Sequence, residues 1–452
     1  MKLFPPDQNV ELYKEGFGEK DPFNRLGTGK ALSDLVERID DPLVIALDGM
    51  WGSGKSWFLK RWVGAHSLEN GGRANTVYFD AFANDFMDDP LIALTSAIGD
   101  RLPAKEERKT WNKFKKAASR LARPVARVGL AAATGGVTEF VGPVIDTIAE
   151  ASSKEIEKAA EAFWAREDGR RAAMQQLRGA IVELTELGLK AGEKIRPLVV
   201  VVDELDRCRP DYALSLLEVI KHFFSVPNVH FVLGVNLEAL KHSVSARYGT
   251  GIDSDRYLRK FISLILKLPE SANDHSASPL VLPYFKKMAS AMEINKVAIE
   301  EFPKHLGLVC KARDVSLRDV NQMLSRLALV PPELFERKLW GWPECLYSLV
   351  LFGCLEPNLA RKSTSGIIKL EEVISFYGIT SLMVSGARDE GYNHDAYIVR
   401  IIWEFLLSNG VSATAGKNDL KDAFGLHPRS EFVEIFNTID RDFLRKFHFT
   451  DT

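Results

Sequence analysis

Residues 49–56 read Gly49-Met50-Trp51-Gly52-Ser53-Gly54-Lys55-Ser56 and follow directly on an apolar run, residues 43–47. They match the pattern G-x-x-x-x-G-K-[ST], which requires a buried strand before it and a helix after it. The glycines allow positive φ angles and let backbone N–H groups approach phosphate oxygens, an approach that a Cβ would block. The stretch therefore predicts a phosphate-binding loop at the tip of a strand, with a glycine-rich turn that binds nothing as the alternative.

The residue types in this loop suit a nucleoside triphosphate with a divalent cation. Lys55 supplies a positive charge for the β- and γ-phosphates, and the hydroxyl group of Ser56 is a ligand for Mg²⁺. The N-terminal end of the following helix adds its positive field. We expect ATP and Mg²⁺ as ligands, and the nucleotide contacts to come from Gly49, Met50, Trp51, Gly52, Ser53, Gly54, Lys55, Ser56 and Trp57.

A second signal lies at the end of another apolar run, residues 198–202. This run lacks polar alternation, which is typical of a strand buried on both faces of a parallel sheet, and it ends in Asp203 and Glu204. We expect Asp203 to hold the water shell of Mg²⁺, and Glu204 to orient or deprotonate an attacking water. The alternative is helix capping, because Asp206 nearby is also typical of a turn.

Two more strands are predicted, over residues 76–82 and residues 229–235. The second ends in Asn236, whose amide either senses the γ-phosphate or serves as an ordinary strand-end residue. Strands that alternate with helices predict an open parallel α/β sheet with its ligand at the C-terminal tips of the strands. Past Pro269 the strand signals fade, and helical periodicity carries the chain onward.

The composition is that of an ordinary soluble globular protein of two or three domains, with 452 residues, 46% hydrophobic and 27% charged. The net charge of −2 gives no global attraction to nucleic acid, so an anionic partner would need a local patch. The four cysteines are far apart and form no C-x-x-C pair, which argues against zinc and against a disulfide framework. The first residues lack the apolar core of a signal peptide, so we expect a cytoplasmic protein.

Four motifs in a fixed order carry a family resemblance. They are the loop with its Trp-Gly pair, Phe79-Asp80-Ala81-Phe82, Asp203-Glu204-Leu205-Asp206-Arg207-Cys208-Arg209-Pro210 and Tyr257-Leu258-Arg259-Lys260-Phe261-Ile262. Through them the chain resembles the KAP-type P-loop NTPases, relatives of the STAND and AAA+ ATPases, over roughly residues 20–355. The resemblance implies an ATPase whose parallel sheet has an additional strand and whose nucleotide is covered by a helical lid. It also implies that Glu204 activates water and that Asp203 serves the metal.

The resemblance further implies arginines near the triphosphate. The lid segment Ser316-Leu317-Arg318-Asp319-Val320-Asn321 makes Arg318 a candidate sensor of the γ-phosphate, although most arginines on such an amphipathic helix are solvated. Arg256 and Arg259 are candidates for an arginine finger that acts within the chain or across a subunit boundary. The candidate catalytic residues are therefore Lys55, Asp203, Glu204, Asn236, Arg256, Arg259 and Arg318.

A basic segment separates the two halves of the predicted ATPase core. From Lys105 to Arg127 nine residues are basic, whereas only Glu106 and Glu107 are acidic. A solvated helix face, a nucleic-acid contact and an anionic lipid surface are all open interpretations. The uncharged run that follows has 11 residues, against about 20 for a membrane-spanning helix. Contact with a membrane surface is therefore expected at most.

These signals predict a domain order and a function. The segments are an N-terminal extension (1–20), the first part of the core (21–103), a helical basic and glycine-rich insertion (104–178), the second part of the core (179–270), a helical lid (271–335) and a C-terminal helical domain (336–452). The expected function is an ATP-driven conformational or assembly switch, in a homo-oligomer or with a partner protein. The family resemblance adds a prokaryotic anti-phage role.

Two other functions stay open at this stage. One is a nucleotide-binding adaptor that docks on nucleic acid or membrane through the basic segment, with little or no turnover. The other is a kinase, which is less well supported because an Asp-Glu pair at a strand tip suits water activation better than a phosphoacceptor site.

Overall fold

The structure is a computed structural model of the chain. It describes residues 2–5, 10–18, 21, 23, 25–87, 89–101, 112, 115–116, 118, 172–186, 195–223, 225–268, 271–273, 276–335, 342–385, 391–407 and 436–444. Most of the predicted insertion, including nearly all of the basic segment from Lys105 to Arg127, lies outside the described residues.

A five-stranded parallel sheet forms the centre of the first part of the chain. Its strands are β1 (Leu43–Asp48), β2 (Asn75–Asp80), β3 (Leu198–Asp203), β4 (Val229–Val235) and β5 (Leu264–Lys267), in the spatial order β2-β3-β4-β1-β5. Strand β4 therefore lies between the strand that precedes the glycine-rich loop and the strand that ends in the acidic pair. This order confirms the predicted parallel α/β fold with an additional strand.

Helices cover both faces of this sheet. They are α1 (Leu26–Arg38), α2 (Lys55–Leu68), α3 (Pro90–Arg101), α4 (172–185), α5 (Pro210–Phe223), α6 (Leu237–Tyr248) and the short α7 (Ser254–Leu258). Successive residues of a strand point to opposite faces. Accordingly Val199 and Val201 of β3 pack with α1 and α2, whereas Val200 and Val202 pack with helices α3 to α6. Because both faces of β3 are covered, its sequence is a continuous apolar run.

The remainder of the described chain is almost entirely helical. A short antiparallel pair that the sequence did not predict, β6 (Ser271–Asn273) and β7 (Ser276–Pro279), precedes it. The helices are α8 (Val281–Ala291), α9 (Lys296–Ala312), α10 (Leu317–Ala328), α11 (Pro332–Phe335), α12 (Trp342–Leu355), α13 (Pro357–Thr364), α14 (Leu370–Tyr377), α15 (Ser381–Ser385) and α16 (His394–Leu407), followed by a π-helical turn, Asp440–Leu444. The predicted C-terminal helical region is thereby confirmed.

One aromatic residue from the start of the chain joins the two regions. Phe23 belongs to the hydrophobic core of the helical region and is 1% exposed. Its ring stacks on Tyr284 of α8, with centroids 5.5 Å apart, and meets the edge of Trp57 of α2 at 5.2 Å. Helix α8 is therefore packed, through Phe23, against the helix that follows the glycine-rich loop.

None of the helices in the described ranges combines the length and the apolar character that a membrane crossing would need.

Candidate functional site

A cavity of about 1350 Å³ opens at the C-terminal edge of the sheet, between the glycine-rich loop and the first turn of α10. It is lined by Lys55 and Ser56 of the loop, by Asp203 and Glu204 at the end of β3, and by Arg318 of α10. The structure thus brings together five of the residues that the sequence analysis selected, from positions as far apart as 55 and 318. These groups define the candidate site.

The loop adopts the conformation that its glycines permit. Gly52 and Gly54 have φ angles of +79° and +81°, which side chains with a Cβ rarely adopt. A Cβ on Gly52 would in addition lie 2.9 Å from the Cβ of Ser316, next to α10. Trp51, Gly52, Gly54, Lys55, Ser56 and Trp57 all line the cavity. The other three predicted contacts, Gly49, Met50 and Ser53, belong to the same loop but are not part of the cavity wall.

Lys55 is held by the loop itself. Its Nζ donates hydrogen bonds to the carbonyl oxygens of Gly49 at 2.5 Å and of Met50 at 3.0 Å. Burial lowers the pKa of Lys55, and the carboxylates of Asp206, Asp203 and Asp48 oppose that shift. Both acceptors of the Nζ hydrogen bonds are uncharged carbonyl groups, so the ammonium keeps its charge for an anionic partner such as a phosphate.

An arginine that the sequence analysis missed supports the loop from behind. The Arg25 guanidinium is 2% exposed and donates to the carbonyl oxygens of Gly54 at 2.9 Å and of Ser53 at 2.7 Å. Burial lowers its pKa to about 10, against the opposing effect of Asp21. In a planar trans peptide the N–H points opposite to the C=O. The N–H groups of Gly54 and Lys55 therefore point away from Arg25, as a phosphate cradle requires.

The residues predicted to hold the metal lie within hydrogen-bonding distance of each other. Asp203 is 1% exposed and accepts hydrogen bonds from the hydroxyl groups of Ser56 and Tyr78, the latter at 2.7 Å. Burial raises the pKa of Asp203, and these hydrogen bonds oppose the shift. A buried carboxylate beside a hydroxyl group is an all-oxygen donor set of the kind that Mg²⁺ prefers. The residues present therefore fit a magnesium ion.

A glycine in the neighbouring strand makes room for this carboxylate. Gly234 of β4 lies beside Asp203 in the sheet register. A Cβ on Gly234 would lie 2.6 Å from Oδ1 of Asp203 and 2.5 Å from Cδ1 of Leu59. The sequence pattern alone places residue 234 in a buried strand. A glycine inside a strand often marks a close approach of another group, and that signal was available.

Glu204 lies one residue beyond Asp203, in an unusual backbone conformation. Its φ of 58° and ψ of 27° are left-handed, and it precedes a short 3₁₀ turn, Leu205–Arg207. Its Oε1 is 2.9 Å from a terminal nitrogen of Arg207. Burial raises the pKa of Glu204, and the charge of Arg207 opposes that shift. A carboxylate with a raised pKa at the cavity wall has the properties of a general base for water.

Asp206 contacts the phosphate-binding loop directly. It is buried, and its Oδ2 accepts a hydrogen bond from Nε1 of Trp51 at 2.5 Å. Of the three carboxylates that raise the pKa of Lys55, Asp206 has the largest effect. From the sequence, Asp206 is typical of a turn. The structure shows in addition that its carboxylate faces the loop, so the Asp203-to-Pro210 motif and the loop support each other.

Helix α10 meets the loop at its N-terminus. The N–H of Leu317 donates to the carbonyl oxygen of Gly52 at 3.0 Å, and Ser316 and Asp319 form a capping box that starts the helix. Arg318, the second residue of the helix, lines the cavity, while the apolar stripe of α10 is buried in the helical region. The helical region is thus hydrogen-bonded to the phosphate-binding loop, and Arg318 belongs to the site.

Three predicted residues lie apart from the cavity wall. Arg256 is in α7 and Arg259 caps it, and both are exposed. Asn236 is the N-cap of α6, and its Oδ1 accepts hydrogen bonds from the N–H groups of Glu238 and Ala239. Asn236 therefore acts as a helix cap at the end of a strand, which is the alternative to γ-phosphate sensing. It nevertheless lies at the tip of β4, next to β3. A role for any of the three in catalysis stays a prediction.

The strand order together with the site defines the class of protein. A parallel sheet with a strand added between the loop strand and the acidic strand, and a G-x-x-x-x-G-K-S loop at its tip, is the core of a P-loop NTPase of the additional-strand type. The chain matches the KAP family P-loop domain over residues 28–333 and belongs to the KAP family. The resemblance inferred from the motifs is thereby confirmed.

A curated relative is the phage T7 exclusion protein of Escherichia coli K12, which is 25% identical over 266 residues. The match covers 55% of this chain and 34% of that protein, so the chain spans about a third of its relative's length.

Two solved structures also resemble the chain. The Aeropyrum pernix ORC2 protein in its ADP form is 15% identical, with a TM-score of 0.33 over 97% of this chain and 96% of that one. A single-residue variant of Thermotoga maritima RuvB is 12% identical, with a TM-score of 0.26 over 83% and 86%. At such scores the superpositions add nothing to the strand order.

Proposed function

We propose that the protein binds ATP with Mg²⁺ and hydrolyses it, and that the reaction drives a change in the position of the helical region. The observation that carries the proposal is the convergence of Lys55, Ser56, Asp203 and Glu204 on one cavity that α10 partly covers. Each of these residue types has a distinct task in phosphoryl transfer to water.

The chain's own residues account for binding, orientation and proton transfer. The N–H groups of the loop and the ammonium of Lys55 would hold the β- and γ-phosphates. Ser56 and Asp203 would hold Mg²⁺, which neutralises charge on the phosphate oxygens. The carboxylate of Glu204 would take a proton from a water molecule as its oxygen attacks the γ-phosphorus. The bond from that phosphorus to the β-γ bridging oxygen breaks, and ADP and inorganic phosphate result.

The contacts between α10 and the loop support a conformational role. The Leu317 N–H bonds to the carbonyl of Gly52, and Arg318 faces the same cavity as Lys55. A γ-phosphate in the cavity would attract Arg318, and its loss on hydrolysis would release this attraction. We infer that the helical region closes on ATP and relaxes on ADP. The exposed Arg256 and Arg259 are available for a site in a second copy, so a homo-oligomeric switch is part of the proposal.

The biological role that we propose is defence against bacteriophage. Its support is the printed name of the partial E. coli relative, a phage exclusion protein, which shares 25% identity with this chain. The proposal for this chain is that phage infection changes the nucleotide state and, with it, the assembly or partner of the protein.

Two substitutions test the proposal at the level of chemistry. Lys55→Ala should abolish ATP binding, whereas Glu204→Gln should keep binding and lower phosphate release by about 10²–10⁴-fold, because it removes only the general base. The measurements are steady-state phosphate release and the affinity for a fluorescent ATP analogue. Lys30→Ala, a change on the exposed side of α1, is the control and should match the wild type.

The outcomes separate the two main hypotheses. Full phosphate release by both Lys55→Ala and Glu204→Gln would refute the proposed ATPase. A wild-type protein that retains ATP tightly but turns it over no faster than Glu204→Gln would instead establish the nucleotide-binding adaptor. Plating efficiency of phage on cells that carry each variant tests the biological role, and equal protection by all variants would contradict it.

A further inference from the structure

Arg207 is a charged residue that lines the cavity beside Glu204. It is the last residue of the 3₁₀ turn Leu205–Arg207, three positions after Glu204. Glu204 itself is left-handed, and the turn that follows brings the chain back toward it. A terminal nitrogen of the Arg207 guanidinium lies 2.9 Å from Oε1 of Glu204.

The positive charges of Arg207 and Lys55 face the same cavity. Both residues line the cavity, together with Asp203, Glu204 and Asp206. Arg207 also contributes to the lowering of the Lys55 pKa, which places the two cations within electrostatic reach of each other. Two cations at one cavity wall repel each other until an anion lies between them. A triphosphate is such an anion.

The ion pair between Arg207 and Glu204 is weak enough for Arg207 to change to another anionic partner. The side chain of Arg207 is 34% exposed and that of Glu204 is 20% exposed. Partly exposed ion pairs are weak because solvent screens them. The planar fork of a guanidinium fits two oxygens of a phosphate, and such bidentate contacts are stronger. A γ-phosphate would therefore compete well for Arg207.

The pair also has a chemical consequence. A carboxylate that is bonded to a guanidinium is a poorer proton acceptor, since the neighbouring positive charge stabilises its ionised form. While Arg207 stays on Glu204, the base is held in a less reactive state. The same movement that brings Arg207 to a phosphate would leave Glu204 free to accept a proton.

We propose that Arg207 is a catalytic residue supplied in cis by the acidic motif. When ATP is bound, its guanidinium leaves Glu204 for oxygens of the γ-phosphate and stabilises their charge as the attacking water forms its bond to phosphorus. Glu204 then takes the proton of that water, and ADP leaves as the bond to its bridging oxygen breaks. This inference rests on the proposed ATPase function. It differs from the roles expected of Arg318, Arg256 and Arg259 because it needs neither the helical region nor a second copy.

The chain provides a matched control two residues further on. Arg209 belongs to the same motif, but its side chain is directed to Asp85, where its Nε lies 3.8 Å from Oδ2, and it is 50% exposed. Arg209 is not part of the cavity wall. Removing this guanidinium changes the same segment of chain without taking a charge from the cavity.

The experiment compares the wild type with Arg207→Ala, Arg207→Lys and Arg209→Ala in the full chain. For Arg207→Ala we expect kcat to fall by about 10²–10³-fold, as on loss of a donor that stabilises transition-state charge. Affinity for a non-hydrolysable ATP analogue should fall by about tenfold, as for the loss of one charge-assisted contact, while affinity for ADP stays within about twofold. Arg207→Lys should recover part of kcat, because it keeps the charge but loses the fork. Arg209→Ala should behave like the wild type.

The difference between the two ligands provides a readout that a purely structural role would not move. Loss of a contact to the γ-phosphate lowers the affinity for the ATP analogue but not for ADP, which lacks that phosphate. Equal losses of ADP and ATP-analogue affinity would show that Arg207 only holds the turn. Wild-type kcat in Arg207→Ala would also overturn the proposal.

The test distinguishes failure of this inference from failure of the proposed function. If the wild type releases no phosphate, the ATPase proposal fails, yet the binding comparison still decides whether Arg207 recognises the γ-phosphate. Equal affinity of the wild type and Arg207→Ala for the ATP analogue would then overturn the inference. If Arg207→Ala does not fold, Arg207→Lys replaces it in the test. We then expect a lowered kcat with an unchanged affinity for ADP. An unchanged kcat of Arg207→Lys would contradict the inference.

Discussion

The α/β core and the helical region both bury polar side chains, but they satisfy them in different ways. In the core, Lys55 and Asp203 turn toward a cavity, where a ligand could replace or extend their present partners. In the helical region, Ser348 lies at the centre of a closed network. Its Oγ is 2.8 Å from the hydroxyl of Tyr377 and accepts from Nε1 of Trp403 at 3.2 Å.

Polar groups that serve folding can thus be told apart from polar groups that serve function. A buried polar group must be hydrogen-bonded, because leaving it without a partner costs free energy. Within the described residues, the network around Ser348 meets that requirement with protein groups alone and away from the cavity. The groups around Asp203 meet it in an arrangement that also suits a metal and a phosphate. Substitutions in the two regions should therefore affect different measurements.

Among the substitutions that compare the two regions, the largest effect is expected at Gly234. In Gly234→Ala the new Cβ would lie 2.6 Å from Oδ1 of Asp203, so the carboxylate must move. Because the two close atoms are ends of flexible side chains, the stability cost should be small. If this carboxylate holds the metal as we propose, its displacement should lower phosphate release by about 10–100-fold, as for substitutions around other metal ligands. Phosphate release and the urea midpoint are the measurements.

The matched control for this substitution lies in the helical region. A Cβ on Gly307 of α9 would lie 3.6 Å from Leu282, an ordinary contact, so Gly307→Ala should leave turnover unchanged. It should stabilise the helix by about 0.5–1 kcal/mol, since alanine is the better helix former. If Gly234→Ala turns over like the wild type, the carboxylate of Asp203 has room that the structure does not show, and its assignment to the metal weakens.

The sequence predicted the groups that belong to local motifs. The loop at residues 49–56, the acidic pair after β3 and the amphipathic start of α10 are all recognisable because a short pattern specifies each of them. The parallel sheet followed from apolar runs at helix-separated spacing, and the strand order confirms it. Local periodicity and loop chemistry are sufficient for such features.

The missed groups are those that only the tertiary fold brings to the site. Arg25 reaches the loop across 28 and 29 positions, and Tyr78 reaches Asp203 across 125. No local pattern announces such contacts. Arg207 was visible in the motif, but only the 3₁₀ turn shows that it pairs with Glu204. The roles of Asn236, Arg256 and Arg259, and the partner of the basic segment, stay predictions.

The second effect in size concerns pH and a buried histidine of the helical region. Burial lowers the pKa of His305 to about 3. Below its ordinary value of about 6.5 the unfolded chain binds a proton at this residue that the folded chain does not, so stability falls as the pH drops. Between pH 7.5 and 5 this group should cost about 2 kcal/mol. In His305→Phe the urea midpoint, followed by tryptophan fluorescence, should depend less on pH.

A histidine of the core provides the comparison. His66 is also buried, but its Nε2 lies 3.2 Å from the carboxylate of Glu37, which opposes the lowering of its pKa by burial. His66→Phe should therefore change the pH dependence less than His305→Phe does. An equal pH dependence of the wild type and His305→Phe would indicate that His305 binds a proton as readily in the folded protein as in the unfolded chain.

The smallest effect on turnover is expected when the closed network itself is broken. Ser348→Ala removes the hydroxyl that contacts Tyr377 and Trp403, with little change in volume. Nδ1 of His305 lies 3.4 Å from the Tyr377 hydroxyl, so that hydroxyl keeps one neighbour for a hydrogen bond. Because two hydrogen bonds are lost, we expect a loss of about 1–3 kcal/mol in the free energy of unfolding. Phosphate release at a temperature well below the transition should stay at the wild-type level, because the network does not reach the cavity. A marked change in turnover with unaltered stability would mean that loss of the Ser348 hydroxyl changes the phosphate-binding loop through α10. The polar groups of the helical region could then not be separated into groups that serve folding and groups that serve function.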